Sequence, residues 1–190
     1  MTSAELATLA QRAQAGDAAA RHDLLVELYA AVRKHVYLVI GPGATADDAV
    51  QETMIALHRG LAAFRGDTAS PRTWALAIAT RIARRLRRKE ARYQLVEEGT
   101  VDAVVFDVAP TAAAELAVLQ KALATLSDRK RDAFVLMAIF ELSAEEAGRV
   151  LGTFANTAAS RFRHARIELE ARLKKFDEAA LPAATKAMEP

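Results

Sequence analysis

Residues 143–175 read SAEEAGRVLGTFANTAASRFRHARIELEARLKK. Ser143 and Glu146 form a Ser-x-x-Glu capping box, in which the hydroxyl takes the amide three residues on and the carboxylate reaches back to the amide of the cap. A short helix therefore starts at Ala144, and Leu151-Gly152 ends it, because glycine takes up the left-handed backbone of a helix terminus at least cost. A second helix starts between Thr153 and Thr157 and runs to about Lys175. Along it Ala158, Phe162, Ala165 and Leu169 fall on one face and Asn156, Thr157, Ser160, Arg161 and His164 on the other. A capped helix, a glycine turn and a longer helix with one apolar and one basic side have the shape of a helix-turn-helix. Gly148, in the middle of the first helix, costs about 1 kcal/mol relative to Ala, so its smallness points to close approach of the second helix. An ordinary helical hairpin with a solvated basic face fits the same pattern, and these residues alone leave both readings open.

Upstream, a helix from near Ala112 to Leu126 and another opened by Ser127, bearing Phe134, Met137 and Phe140, complete a domain over residues 115–175. Residues 94–114 lose helical periodicity, contain Gly99 and Pro110, and carry Glu97, Glu98, Asp102 and Asp107 with no base, the composition of a flexible acidic linker. Before it, residues 18–40 carry Leu24, Leu25, Leu28, Val32 and Val36 at helical spacing, stopped by Gly41-Pro42-Gly43. In residues 45–65, Val50, Met54, Leu57, Leu61 and Phe64 step by four, three, four and three along one face. Ser70 and Pro71 then suit the cap and first position of a helix to about Arg92, burying Trp74, Ile78, Ile82 and Leu86. With a short helix before Gly16, residues 1–93 form a four-helix domain. The expected fold is all-α, two small helical domains joined by a flexible linker, with residues 176–190 a disordered tail rich in Ala and Pro.

Composition agrees, since apolar residues make up 52% of the 190 residues and aromatics only 6%, a core of Ala, Leu, Val and Ile that suits close-packed helices. The absence of cysteine excludes disulfide scaffolds, thiol catalysis and cysteine-ligated zinc. No uninterrupted apolar run is long enough to cross a membrane and no signal-peptide pattern opens the chain, so a cytoplasmic protein is expected. The net charge of +2 conceals a division: residues 1–93 carry 14 basic and 9 acidic side chains, and residues 115–175 carry 11 and 8. Two basic blocks joined by an acidic strap point to a polyanionic partner.

Arg81, Arg84, Arg85, Arg87, Arg88, Lys89 and Arg92 crowd the end of one helix with a single acid, Glu90, among them. One or two cations would suit the helix dipole; this density calls for a polyanion or an acidic partner. Asp47, Asp48, Gln51 and Glu52 lie on the side of their helix opposite Leu57 and Leu61. Acids in a first turn commonly serve only the dipole, and no nucleophile accompanies them. His22, His35, His58 and His164 are scattered. No catalytic residue, metal site or cofactor is therefore expected, and the chain does not read as an enzyme.

Read in order, the segments resemble extracytoplasmic-function RNA polymerase sigma factors of the sigma-70 family over about residues 18–173. Asp47-Asp48-Ala49-Val50-Gln51-Glu52-Thr53 is similar to the family's acidic motif, and Phe64, Trp74, Ile78-Ala79 and the basic run ending at Arg92 follow where the family places them. Leu126, Arg131, Phe134, Leu142 to Glu146, Leu151-Gly152 and Thr157-x-x-Ser160-Arg161-x-x-x-Ala165-Arg166 are similar to its second domain. The resemblance implies that residues 1–93 are sigma region 2 and residues 115–175 the sigma region 4 helix-turn-helix domain. Asp47, Asp48, Gln51 and Glu52 would then bind the β and β′ subunits of core RNA polymerase. Arg65, Arg72, Arg81, Arg84, Arg85, Arg88, Lys89 and Arg92 would meet promoter DNA at the −10 element, with Trp74 a core anchor. Asn156, Thr157, Ser160, Arg161 and His164 would meet the −35 element. An anti-sigma factor that wedges between or around the domains is the further partner implied. Arg81, Ala144, Ala147, Phe154, Asn156 and Ala159 depart from the common pattern, which bears on promoter choice. The altered recognition-helix residues also motivate a second reading, a sigma-like decoy or adaptor that binds an anti-sigma factor; a third, a conventional helix-turn-helix regulator, would need a dimerisation surface for which the sequence offers no extra segment.

Overall fold

The computed structural model describes the backbone of residues 1–94 and 118–186, with side chains through 90 and from 118 to 172. Eight α-helices account for nearly all of it: α1 (Ser3–Gln14), α2 (Ala18–Ile40), α3 (Ala44–Gly60), α4 (Pro71–Gln94), α5 (residues 118–124), α6 (Asp128–Phe134), α7 (Ala144–Leu151) and α8 (Ala155–Lys186). A 3-10 turn at Leu61–Ala63 follows α3, and α6 runs on into a π-helical turn at Val135–Ile139. The expected linker, residues 94–114, falls outside the described residues except for Gln94, the last residue of α4.

Local chemistry fixes the helix ends. Thr2 and Glu5 make a capping box ahead of α1, the Asp17 carboxylate accepts the Ala20 amide at 3.0 Å ahead of α2, and Ser70 Oγ accepts the Thr73 amide at 3.1 Å ahead of α4. Gly41 (φ 97°) and Gly43 (φ 140°) turn the chain between α2 and α3. The last helix continues past the expected end at Lys175 to Lys186.

Helices α1 to α4 close over Leu6, Leu24, Leu28, Val32, Val36, Leu57, Leu61 and Ala79, while Trp74 lies partly buried with its ring 4.8 Å from that of Phe64. Trp74 is thus the core anchor expected of it. The core of the second group of helices extends onto the first. Leu38, Val39 and Ala83 of the first group pack with Leu123, Leu126, Val135, Ala165 and Leu169, and Leu76 packs with Leu136, Leu142, Ala147 and Ala158. Val39, Leu76 and Ala83 are wholly buried by this docking. Two domains on a flexible strap would leave these side chains in water, so their apolar burial is what draws the domains together.

Candidate nucleic-acid and protein interfaces

Helix α3 carries the acidic set. Asp47, Asp48 and Gln51 are exposed, Asp47 accepts a hydrogen bond from the Tyr37 hydroxyl, and Glu52 pairs with Arg85 of α4. Burial, then the Asp47 contact, pushes the Tyr37 phenol above its ordinary value and keeps it the donor. Beside this edge runs a groove of about 660 Å³ between α2 and α3, lined by Leu25, Val26, Tyr29, Val50, Met54 and Ile55. Val26, Tyr29 and Ile55 are 56%, 47% and 43% exposed. His22, Arg33, Asp47 and Gln51 border the same groove, so its rim carries both signs of charge, and Glu52 is already paired with Arg85.

The basic end of α4 splits into two sets. Arg81, Arg85, Arg88 and Lys89 are exposed, as is Arg65 in the preceding loop; Arg72 is half-buried, and the Arg92 side chain lies outside the described residues. Arg84 and Arg87 instead turn to the second domain. Arg84 Nε sits 2.6 Å from Asp132 Oδ2 and its Nη1 donates to the Leu151 carbonyl at 3.2 Å; Arg87 pairs with Asp128 at 2.9 Å and donates to the Val39 carbonyl at 3.2 Å. The acidic partner that so dense a run of cations calls for is, for these two, in the second domain, and for Arg85 it is Glu52 of α3.

Further ties cross the same seam. Arg131 donates to the carbonyls of Leu123, Ala124 and Leu126 at and just past the end of α5, and across the seam to that of Val39 at the end of α2. Arg149 of α7 donates to the Thr68 carbonyl in the loop before α4 at 3.1 Å. His35 of α2 is fully buried, hydrogen-bonds Thr80 at 2.9 Å and meets the Phe140 ring edge-on at 5.7 Å. Burial, assisted by the Arg84 charge, pushes its imidazole down to about 3. The Asp132 side chain is also buried, and burial raises its carboxyl above the ordinary value although Arg84 pulls it back, so the pairing offsets only part of the cost of desolvation.

The helix-turn-helix takes the expected form. Ser143 Oγ accepts the Glu146 amide at 3.2 Å, Glu146 accepts the Ser143 amide at 3.0 Å, and Gly152 is left-handed at φ 65°. A Cβ on Gly148 would stand 2.9 Å from the Thr153 carbonyl oxygen and 3.1 Å from the Ala155 nitrogen, so only glycine lets α7 close on the turn. Asn156 and His164 are exposed; Thr157, Ser160 and Arg161 are half-buried. Arg161 lines a cleft of about 470 Å³ together with Arg84, Arg87, Arg88, Arg129 and the acids Asp128 and Asp132. Sequence reasoning passed over Arg163, which is exposed and stands seven residues from Asn156, two turns along the same side. That spacing was the available signal.

Among the described residues no cluster of His, Cys, Asp or Glu is disposed to hold a metal, and no helix is long and apolar enough to cross a membrane.

Comparison with known proteins follows this division of the chain. Residues 15–93 match the family model for Sigma-70 region 2 and residues 116–169 the model for Sigma-70 region 4. The RNA polymerase sigma factor YlaC of Bacillus subtilis (strain 168) is 29% identical over 164 residues, 82% of this chain and 93% of the relative. CnrH, solved in complex with the cytosolic domain of CnrY, is similar in structure with a TM-score of 0.69 and 27% identity, over 90% of this chain and 98% of CnrH. The sigma factor RpoE of Bartonella quintana, solved with the anti-sigma factor NepR, gives a TM-score of 0.70 and 25% identity over 80% of this chain and 96% of RpoE. With both regions present, in order, and together spanning more than two thirds of its length, the chain belongs to the sigma-70 family and is a sigma factor of the extracytoplasmic-function type.

Proposed function

We propose that this sigma factor rests in a closed form, held by the Arg84–Asp132 pair and the apolar seam around it, and that engagement with core RNA polymerase and promoter DNA opens it. One observation carries the reading: Arg84 and Arg87, on the helix meant for the −10 side, are occupied by carboxylates of the domain meant for the −35 element. The −10 and −35 elements lie on the order of 80 Å apart on B-DNA, more than two turns of roughly 35 Å each. Domains that share buried side chains and hydrogen-bond across the seam do not span that distance.

In this reading Asp47, Asp48, Gln51 and Glu52, with the apolar groove beside them, dock a helical element of the β and β′ subunits. That face is open in the closed form, so polymerase binds before the domains part. Once they part, the loop over Arg65 and Arg72 and the cations of α4 take the −10 region, and α8 enters the major groove at −35 through Asn156, Thr157, Ser160, Arg161, Arg163 and His164. The protein contributes binding and positioning and no chemical step of its own, and it works in the cytoplasm, where polymerase is. An anti-sigma partner, suggested by the partner of RpoE, would wrap the closed body; the seam already joins the domains and leaves no space for a wedge.

The test is transcription by core polymerase, with and without this protein, on a library of genomic fragments. Discrete new starts that share upstream elements and vanish with the triple variant Asp48→Ala, Gln51→Ala, Glu52→Ala are expected. Starts that persist with the triple variant would remove the docking assignment, and no starts at all would favour a decoy role.

A further inference from the structure

The most exposed large apolar side chain described is Phe154, 84% accessible, at the residue just before α8. Its position is fixed: its carbonyl accepts the amides of Thr157 at 3.0 Å and Ala158 at 3.1 Å, and the turn before it lies against Gly148. The backbone that carries the ring is therefore fixed, and the ring itself stands in water. It also occupies the N-cap position, where Ser, Thr, Asp or Asn would satisfy a free amide and a phenyl ring satisfies none. Two local costs meet at one residue, and a residue that breaks local rules without helping the fold is expected to serve the function.

We propose that Phe154 is a specificity-determining residue of the −35 contact, its ring packing against the C5-methyl group of a thymine in the major groove. The first residues of a recognition helix are the ones that reach base edges, and the thymine methyl is the one apolar feature the major groove displays. Asn156, two residues on and exposed, supplies hydrogen bonding at the same end of the helix. Hydrogen-bonding side chains select among donors and acceptors; Phe154 adds selection for a methyl group. This inference rests on α8 reading the −35 element.

The experiment selects bound promoters from a library randomised at −35, using the full chain with core polymerase. Each thymine of the selected element is then replaced by deoxyuridine, which deletes only the methyl. The wild type is expected to select a thymine at one fixed position, and deoxyuridine there is expected to weaken binding about fourfold, the value of one buried methyl-sized group. Phe154→Ala loses that discrimination. Phe154→Ser, which restores a capping oxygen, loses it too while thermal stability holds or rises, so a folding defect is distinguished from a lost contact. An element without thymine, or equal deoxyuridine sensitivity in wild type and Phe154→Ala, overturns the proposal. Uniform weakening by Phe154→Ala with no deoxyuridine effect in the wild type also overturns it and makes the residue a backbone contact. Selection of no element by the wild type would instead sink the reading of α8.

Discussion

Arg84 of α4 places its Nε 2.6 Å from the carboxylate of Asp132 in α6, joining two domains whose residues here lie 48 apart in sequence. The Asp132 side chain is 1% exposed and that of Arg84 26%, so the pair is screened less than a surface ion pair. Its carboxylate has given up hydration that only the guanidinium replaces. Separating the domains returns both groups to water, which makes the pair a latch that water itself helps to release.

Asp132→Asn keeps the shape and removes the charge. Thermal unfolding of the free protein should shift downward by the equivalent of about 1–3 kcal/mol, while transcription with core polymerase is undiminished or rises, because the closed form is easier to leave. A variant that keeps wild-type stability would show that the apolar seam holds the domains unaided.

His35 gives the pH dependence. Its imidazole is held at about 3 in the folded protein against an ordinary value of 6.5, so between those values the unfolded chain binds a proton that the folded chain refuses. Stability should therefore fall as pH drops below 6.5, by up to about 1.4 kcal/mol per pH unit from this group. Proton NMR from pH 7.5 to 5 should find the ring of His35 unmoved. A His35 resonance that titrates near 6.5 would contradict its burial beneath Phe140.

Gly148→Ala sets helix propensity against packing. Alanine gains about 1 kcal/mol in a helix interior, but its Cβ would meet backbone atoms of Thr153 and Ala155, which have little freedom to move. Overpacking costs about 1–3 kcal/mol, so the net change should be destabilising. Denaturant unfolding measures it, and a more stable Gly148→Ala would show that the turn yields.

Much of this architecture was legible in the sequence because its signals are local. Ser143, Glu146, Gly148 and Gly152 state the helix-turn-helix within ten residues, and Asp47, Asp48, Gln51 and Glu52 share a face by spacing alone. The closed seam was not legible. Asp132 resembles any acid on a helix, Val39 and Leu76 resemble ordinary core residues of their own domain, and their partners lie beyond the acidic segment. Periodicity shows that a face is apolar; it does not name the face that covers it.

Salt dependence separates the two sets of cations. Arg88→Ala removes an exposed charge and should lower the dependence of promoter affinity on log salt by about one unit, with stability unchanged. Arg84→Ala should lower both the slope and the stability of the free protein. Equal behaviour of the two variants would contradict the division of α4 into a docked and an exposed set.

The most direct measurement is the distance between the domains. The chain has no cysteine, so Arg59→Cys on α3 and Glu170→Cys on α8, both exposed sites, accept a pair of fluorophores without competition. Energy transfer should be high in the free protein and fall when the labelled chain joins core polymerase on promoter DNA. High transfer that persists in a transcribing complex, or low transfer in the free protein, would contradict a closed form that opens on engagement.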